Sequence, residues 1–135
     1  MSHWARNYIG LPHCHGGRDR SGLDCWGLVT LVYEEVLGIM LPELPGITTQ
    51  GVFAVSREIA TQRTAGWTRI ERPIECGIVG MSHNHALHHV GIWTDADGGK
   101  VIHCWKSSVV ADTLDALKRW KGIRTLEFYC YGLHR

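Results

Sequence analysis

A cysteine stands where a turn-forming run gives way to an apolar helical pattern, in Ser21-Gly22-Leu23-Asp24-Cys25-Trp26-Gly27-Leu28-Val29. A thiol in the first turn of a helix meets unpaired amides and the positive end of the helix dipole. Both favour the anion, so the spacing predicts a reactive thiolate near neutral pH at Cys25. A thiolate nucleophile works with a base, and the base with a group that orients it. Two downstream β-type segments supply histidines for both tasks: His88-His89-Val90-Gly91-Ile92-Trp93 and Val101-Ile102-His103-Cys104-Trp105. Cysteine hydrolase chemistry fits these positions.

Taken singly, each residue has a plainer explanation. A lone cysteine at a helix start is more often a small buried hydrophobe. Cys14, Cys76, Cys104 and Cys130 lack any such setting and read as packing, as do Trp26, Trp93 and Trp105 as core or cleft wall. His83, His85, His88 and His89, with His13, Cys14 and His15 elsewhere, raise the question of zinc. Their spacings repeat no paired-ligand pattern, so no metal and no cofactor is expected.

The elements that must position the site follow from periodicity. A short helix is expected over 4–9, then a turn-rich stretch over 10–22. Asp24 caps a helix over 25–37 whose inward face carries Leu28, Leu31, Val32 and Val36, with Gly38 as its end. Two prolines and a glycine make 41–46 a loop, and helical spacing resumes over 50–63 through Val52, Val55 and Ile59. From Trp67 onward the runs are short and β-like: 67–70, 74–81, 89–94, 100–105 and 125–131. The turn Asp95-Ala96-Asp97-Gly98-Gly99 should join two of them as a hairpin. A last short helix is expected over 112–120, with Asp112 as its cap and Leu114, Leu117 and Trp120 inward. Helices first and a strand meander second give an α+β fold, N-terminal helices packed on an antiparallel sheet.

Alternation along the hairpin sets His89, Gly91 and Trp93 on one face, with Val101, His103 and Trp105 facing likewise on the next strand. The Cys25 helix is expected over that face, which would assemble thiol, base and orienting group.

The runs Gly16-Gly17-Arg18-Asp19-Arg20-Ser21-Gly22-Leu23-Asp24-Cys25-Trp26-Gly27-Leu28-Val29, His89-Val90-Gly91-Ile92-Trp93 and Val101-Ile102-His103 resemble, in order and spacing, the motifs of the NlpC-type cell-wall cysteine peptidases. The resemblance implies a compact papain-like α+β domain acting on peptidoglycan stem peptides, often between D-γ-glutamyl and diaminopimelate residues. It also implies Cys25 as nucleophile, His89 as base and His103 as the orienting residue. Asp24, Trp26 and His13 become the candidate substrate contacts. Tryptophan after the cysteine resembles the branch found in phage and prophage tails, the tail-assembly protein K type, so other tail proteins are possible partners. Where secreted members read Pro-Tyr, this chain has Pro12-His13, and His13 can donate a hydrogen bond in place of the hydroxyl.

Length and composition bound these expectations. The 135 residues are expected to form one domain, 1–135, large enough for its own core. Apolar residues make up 44% and charged residues 20%, as in an ordinary globular protein. A net charge of +1 gives no basic surface for nucleic acid. The longest apolar run, near Trp26, is too short and polar to span a bilayer, so no membrane is expected as a partner. The N-terminus shows no secretory pattern, which predicts cytoplasmic synthesis, with action at the cell wall following from the tail resemblance. Five cysteines without regular spacing give no disulfide framework. Two other functions stay open from sequence: a structural tail-assembly or wall-binding protein that keeps the peptidase fold, and an amidase or acyltransferase on the same scaffold.

Overall fold

The computed structural model describes residues 4–41, 67–83 and 89–132. A 3-10 turn, Trp4–Asn7, leads to a two-stranded ribbon, β1 (Arg18–Asp19) and β2 (Gly22–Leu23), inside the stretch expected to be turns alone. The first helix, α1 (Cys25–Val32), follows at once, and a π-type turn, Tyr33–Leu37, prolongs it until Gly38 adopts φ 72° and ends it. The expected helix over 25–37 is thus present with its last five residues wound more loosely.

Six strands form one antiparallel sheet: β3 (Trp67–Ile70), β4 (Ile78–Ser82), β5 (His89–Thr94), β6 (Lys100–Trp105), β7 (Ser108–Asp112) and β8 (Thr125–Tyr131). Their order across the sheet is β3-β8-β4-β5-β6-β7. A second helix, α2 (Leu114–Trp120), bridges β7 and β8. The α+β reading with a mostly antiparallel sheet is what the chain folds into. No helix among the described residues is long and apolar enough to cross a membrane.

The sheet is covered on both sides, which is why β4 to β6 carry apolar residues without clean alternation. One face sends Ile78, Val90, Ile92, Ile102 and Cys104 against Trp26, Leu28 and Val29 of α1. The other sends Val79, Met81, Trp93 and Val101 against Leu117 of α2 and Ile123. Leu117 is fully buried, and burial of a leucine is worth about 2 kcal/mol.

Several expectations need correcting. The strand expected over 74–81 starts only at Ile78, because Cys76 takes φ 64° and the amide of Gly77 bonds back to the carbonyl of Ile74, closing a turn. Strand β7 was not expected: its turn from β6 runs through Lys106 at φ 58°, a residue type that gives no turn signal. Asp112 ends this strand and caps nothing; Thr113 is the cap of α2, its side chain accepting from the amide of Ala116 at 3.0 Å. Trp120 points outward, 77% exposed, since so short a helix can bury only one turn of its face. The loop beyond Leu41 and the helix expected over 50–63 lie outside the described residues.

Candidate active site

Asp24 fixes where α1 begins. Its Oδ1 accepts the amide of Gly27 at 2.7 Å, satisfying one of the open donors of the first turn and leaving Cys25 as the first helical residue. Gly27 lets that turn press against the glycine run before it, since a Cβ there would lie 2.0 Å from the carbonyl oxygen of Gly17. The backbone amides of Trp26 and Val90 both hydrogen-bond the sulfur of Cys25. Val90 directly follows His89, so the nucleophile sits at the start of β5, beside the candidate base.

The surroundings of Cys25 oppose the thiolate that its place at a helix start favours. Burial, first, and then the carboxylate of Asp24 push the Cys25 thiol up to about 12, and the two amides only partly offset this. A helix terminus favours the anion, but removing sulfur from water costs more here. Cys25 therefore holds its proton until a base takes it.

The histidines are organised by the sheet. Gly91 pairs with His103 across β5 and β6, which sets His89 diagonally from His103 on the face shared with Trp93 and Val101. A Cβ on Gly91 would lie 2.8 Å from the Cβ of His103, so only glycine leaves room for that imidazole. His89 Nε2 and His103 Nδ1 are 2.9 Å apart. On its far side, His103 Nε2 lies 2.7 Å from Oδ2 of Asp112, and Lys121 Nζ donates to the same oxygen at 2.7 Å. The ring of Trp105 flanks both imidazoles, with centroids 5.9 Å from His89 and 5.8 Å from His103, and Lys121 Nζ lies over the Trp105 ring, 5.1 Å from its centroid.

The electrostatics of this row are mutually consistent. His103 is completely buried, and desolvation lowers its pKa below the usual histidine value although the Asp112 carboxylate pulls the other way. Burial alone would raise Asp112, but the hydrogen bonds from Lys121 and His103 outweigh it and hold the carboxyl below its usual range. A neutral imidazole between an ionised carboxylate and a second imidazole is an arrangement that orients a base.

Sequence reasoning placed α1 over the histidine face; the correction is that α1 packs on the opposite face, against Val90 and Ile92. Its first residue meets β5 at the amide of Val90, next to His89. Among the candidate substrate contacts, Trp26 is also corrected: it is wholly buried, its ring 6.2 Å from that of Trp67, and has no surface to offer a substrate. Asp24 is buried beside the nucleophile, its Oδ1 paired with Arg18 at 2.6 Å and its Oδ2 lacking a partner among the described residues. His13 is exposed and pairs through its backbone with Leu23, two residues ahead of Cys25, while its amide donates to the carbonyl of Ser107 at 2.9 Å. His83 contacts the carbonyl of Gly122 at 2.9 Å through ring Nδ1; His85 and His88 lie outside the described residues.

Sequence reasoning missed Asp112 and Lys121. The β-branched pair Val109-Val110 was the available signal: read as a strand paired with β6, it puts Asp112 opposite Val101 and on the histidine face.

A family model described as the NlpC/P60 family matches residues 10–125. The γ-DL-glutamyl hydrolase of Bacillus subtilis (strain 168) is 30% identical over 122 residues, which span 90% of this chain and 26% of that protein. The chain thus spans about a quarter of the length of that relative. A crystal structure of the NlpC/p60 domain of the peptidoglycan hydrolase SagA superposes with a TM-score of 0.58 at 24% identity, covering 91% of this chain and 90% of that one.

Proposed function

From the premise that this chain belongs to the NlpC/P60 family, whose members are cysteine peptidases hydrolysing peptidoglycan, we propose that it is a cysteine endopeptidase of peptidoglycan stem peptides. The observation that carries the reading is the junction of α1 and β5. A thiol at a helix start is hydrogen-bonded by the amide next to a histidine, and that histidine is held by a second one.

In the proposed reaction His89 takes the Cys25 proton as the sulfur attacks the peptide carbonyl, which suits a thiol that starts protonated. Amides at the start of α1 stabilise the oxyanion, with His13 as a further donor. His89 then protonates the leaving amine, and afterwards activates the water that hydrolyses the thioester. His103 keeps the ring of His89 in place throughout. The family resemblance assigns Asp24, next to Cys25 in the chain, to an amino group of the substrate.

The bond we propose is the one between D-γ-glutamyl and diaminopimelate residues. Similarity to the Bacillus relative, a γ-DL-glutamyl hydrolase, supports a γ-glutamyl acyl donor. The further proposal of a phage or prophage tail component, made without a secretory route and brought to the wall among other tail proteins, is supported by the Cys25-Trp26 pair, which resembles that branch. A purely structural role would require neither the row of hydrogen bonds behind His89 nor its match to the helix start.

Incubating purified muropeptides with the protein and weighing the products tests the reading. Cleavage between the γ-glutamyl and diaminopimelate residues, absent with Cys25→Ala, is the expected result. Unchanged muropeptides, or the same fragments from the Cys25→Ala variant, would overturn it.

A further inference from the structure

We propose that Asp112 is a positioning residue of this site: its carboxylate fixes the tautomer of His103, and through His103 makes Nδ1 the unprotonated nitrogen of His89. The inference rests on the reading of Cys25 and His89 as nucleophile and base, and extends that site by one residue on a strand the family motifs do not include.

An ionised carboxylate only accepts hydrogen bonds, so His103 Nε2, 2.7 Å from Asp112 Oδ2, carries the proton. A neutral imidazole has one ring proton, and burial keeps His103 neutral. Its Nδ1 is then an acceptor, and the contact of 2.9 Å with His89 Nε2 is made by a proton on His89 Nε2. Neutral His89 therefore has its lone pair on Nδ1, the nitrogen available to receive the thiol proton. Had His103 the other tautomer, Nδ1–H would force His89 Nε2 to accept, and Nδ1 of His89 would carry the proton in the ground state.

Lys121 sets the direction of the row. It donates to the same Oδ2 that His103 uses, at the same distance, and so anchors the carboxylate at the point where the imidazole needs it. The charged and titratable groups facing His103 are His89 from β5, Asp112 from β7 and Lys121 at the end of α2; the lysine opposes protonation of His103, while Asp112 favours it. Trp105 covers the two rings on one side, which limits competition from water.

The test is a long-range proton–nitrogen correlation spectrum of the histidine rings in the full chain labelled with nitrogen-15, recorded for the wild type, Asp112→Leu and Asp112→Asn. The wild type is expected to show Nε2–H and a pyridine-type Nδ1 for both His89 and His103. Asp112→Leu removes the acceptor, so the Nδ1–H form of His103 should emerge and kcat on stem peptides should fall roughly 10- to 100-fold with KM nearly unchanged. Asp112→Asn keeps an oxygen for its two donors, and should retain the wild-type tautomers and most of the activity. A wild-type His103 protonated on Nδ1 overturns the proposal without any variant. So does a folded Leu variant with wild-type tautomers and kcat, or a folded Asn variant that keeps the tautomers yet loses activity like Leu. The spectra need no substrate: a wild type inactive on stem peptides would defeat the proposed function while leaving the tautomer result to stand alone.

Discussion

Cys25 is placed by backbone and His89 by side chains. On the nucleophile's side a capped helix terminus, two amides on the sulfur and a glycine contact fix the thiol, and the nearest charge, Asp24, works against its ionisation. On the base's side, imidazole, imidazole, carboxylate and ammonium stand in a row across three strands and the end of α2. Both sides contain a carboxylate held by a cation, Arg18 on the buried Asp24 and Lys121 on the partly buried Asp112, with opposite consequences. Asp24 adds to burial in raising the Cys25 pKa, whereas Asp112 orients the base that collects the proton. Reactivity therefore depends on the base, and it is expressed only where both sides meet at the start of β5.

The comparison breaks most visibly if the base is removed. His89→Ala should lower kcat by roughly 10²- to 10⁴-fold in a stem-peptide assay, while the thermal midpoint moves little, because His89 is only partly buried. Activity near wild type would mean that the nucleophile's side suffices by itself.

Gly91→Ala probes whether the base's side depends on close strand approach. The new Cβ would meet His103 Cβ and Val101 Cγ1, each at 2.8 Å, and the carbonyl of Ile102 at 2.9 Å, so β6 must shift. We expect a destabilisation of about 1–3 kcal/mol in denaturant unfolding, with a loss of kcat beyond what Asp24 variants show. An unaffected variant would show the strands to be looser than the register implies.

The sign of the Asp24 effect sharpens the contrast. Because its carboxylate raises the Cys25 pKa, Asp24→Asn, which keeps a capping oxygen, should increase thiolate and hence the rate of iodoacetamide labelling of Cys25 near neutral pH several-fold. In the wild type, peptide mapping should find Cys25 labelled more slowly than exposed Cys14 at that pH, with the rate climbing as pH rises toward the elevated pKa. Fast labelling of Cys25 in mild acid would restore the thiolate that the helix start alone suggests.

The smallest effect is expected at the cap of α2. Thr113→Ala removes the bond to the amide of Ala116 and should cost about 1 kcal/mol of stability, with kcat falling less than for Gly91→Ala, since Lys121 remains tied to Asp112.

How much of this could be read from the sequence differs between the two sides in the same way. The helix start at Cys25, its cap and the strands 89–94 and 100–105 follow from local signals: an aspartate before an apolar run, and a turn with two glycines between β-branched segments. Those signals also placed His89 and His103 together. What they could not supply is long-range. Strand β7 turns through a lysine in the left-handed region, so Asp112 was read as the cap that Thr113 provides one residue later. The face of the sheet that α1 covers is decided by how both layers pack, which no period along one strand reveals. The upward push on the Cys25 pKa is likewise not legible, because a helix terminus is visible in sequence and burial of the sulfur is not.

The most direct measurement is the mass of the intact protein after a stem-peptide reaction quenched in acid, followed by mapping of the modified peptide. An acyl group from the γ-glutamyl side of the substrate is expected on Cys25, present in the wild type and absent from Cys25→Ala, which makes no product. Product formed with an acyl group on another residue, or formed at an undiminished rate by Cys25→Ala, would contradict it.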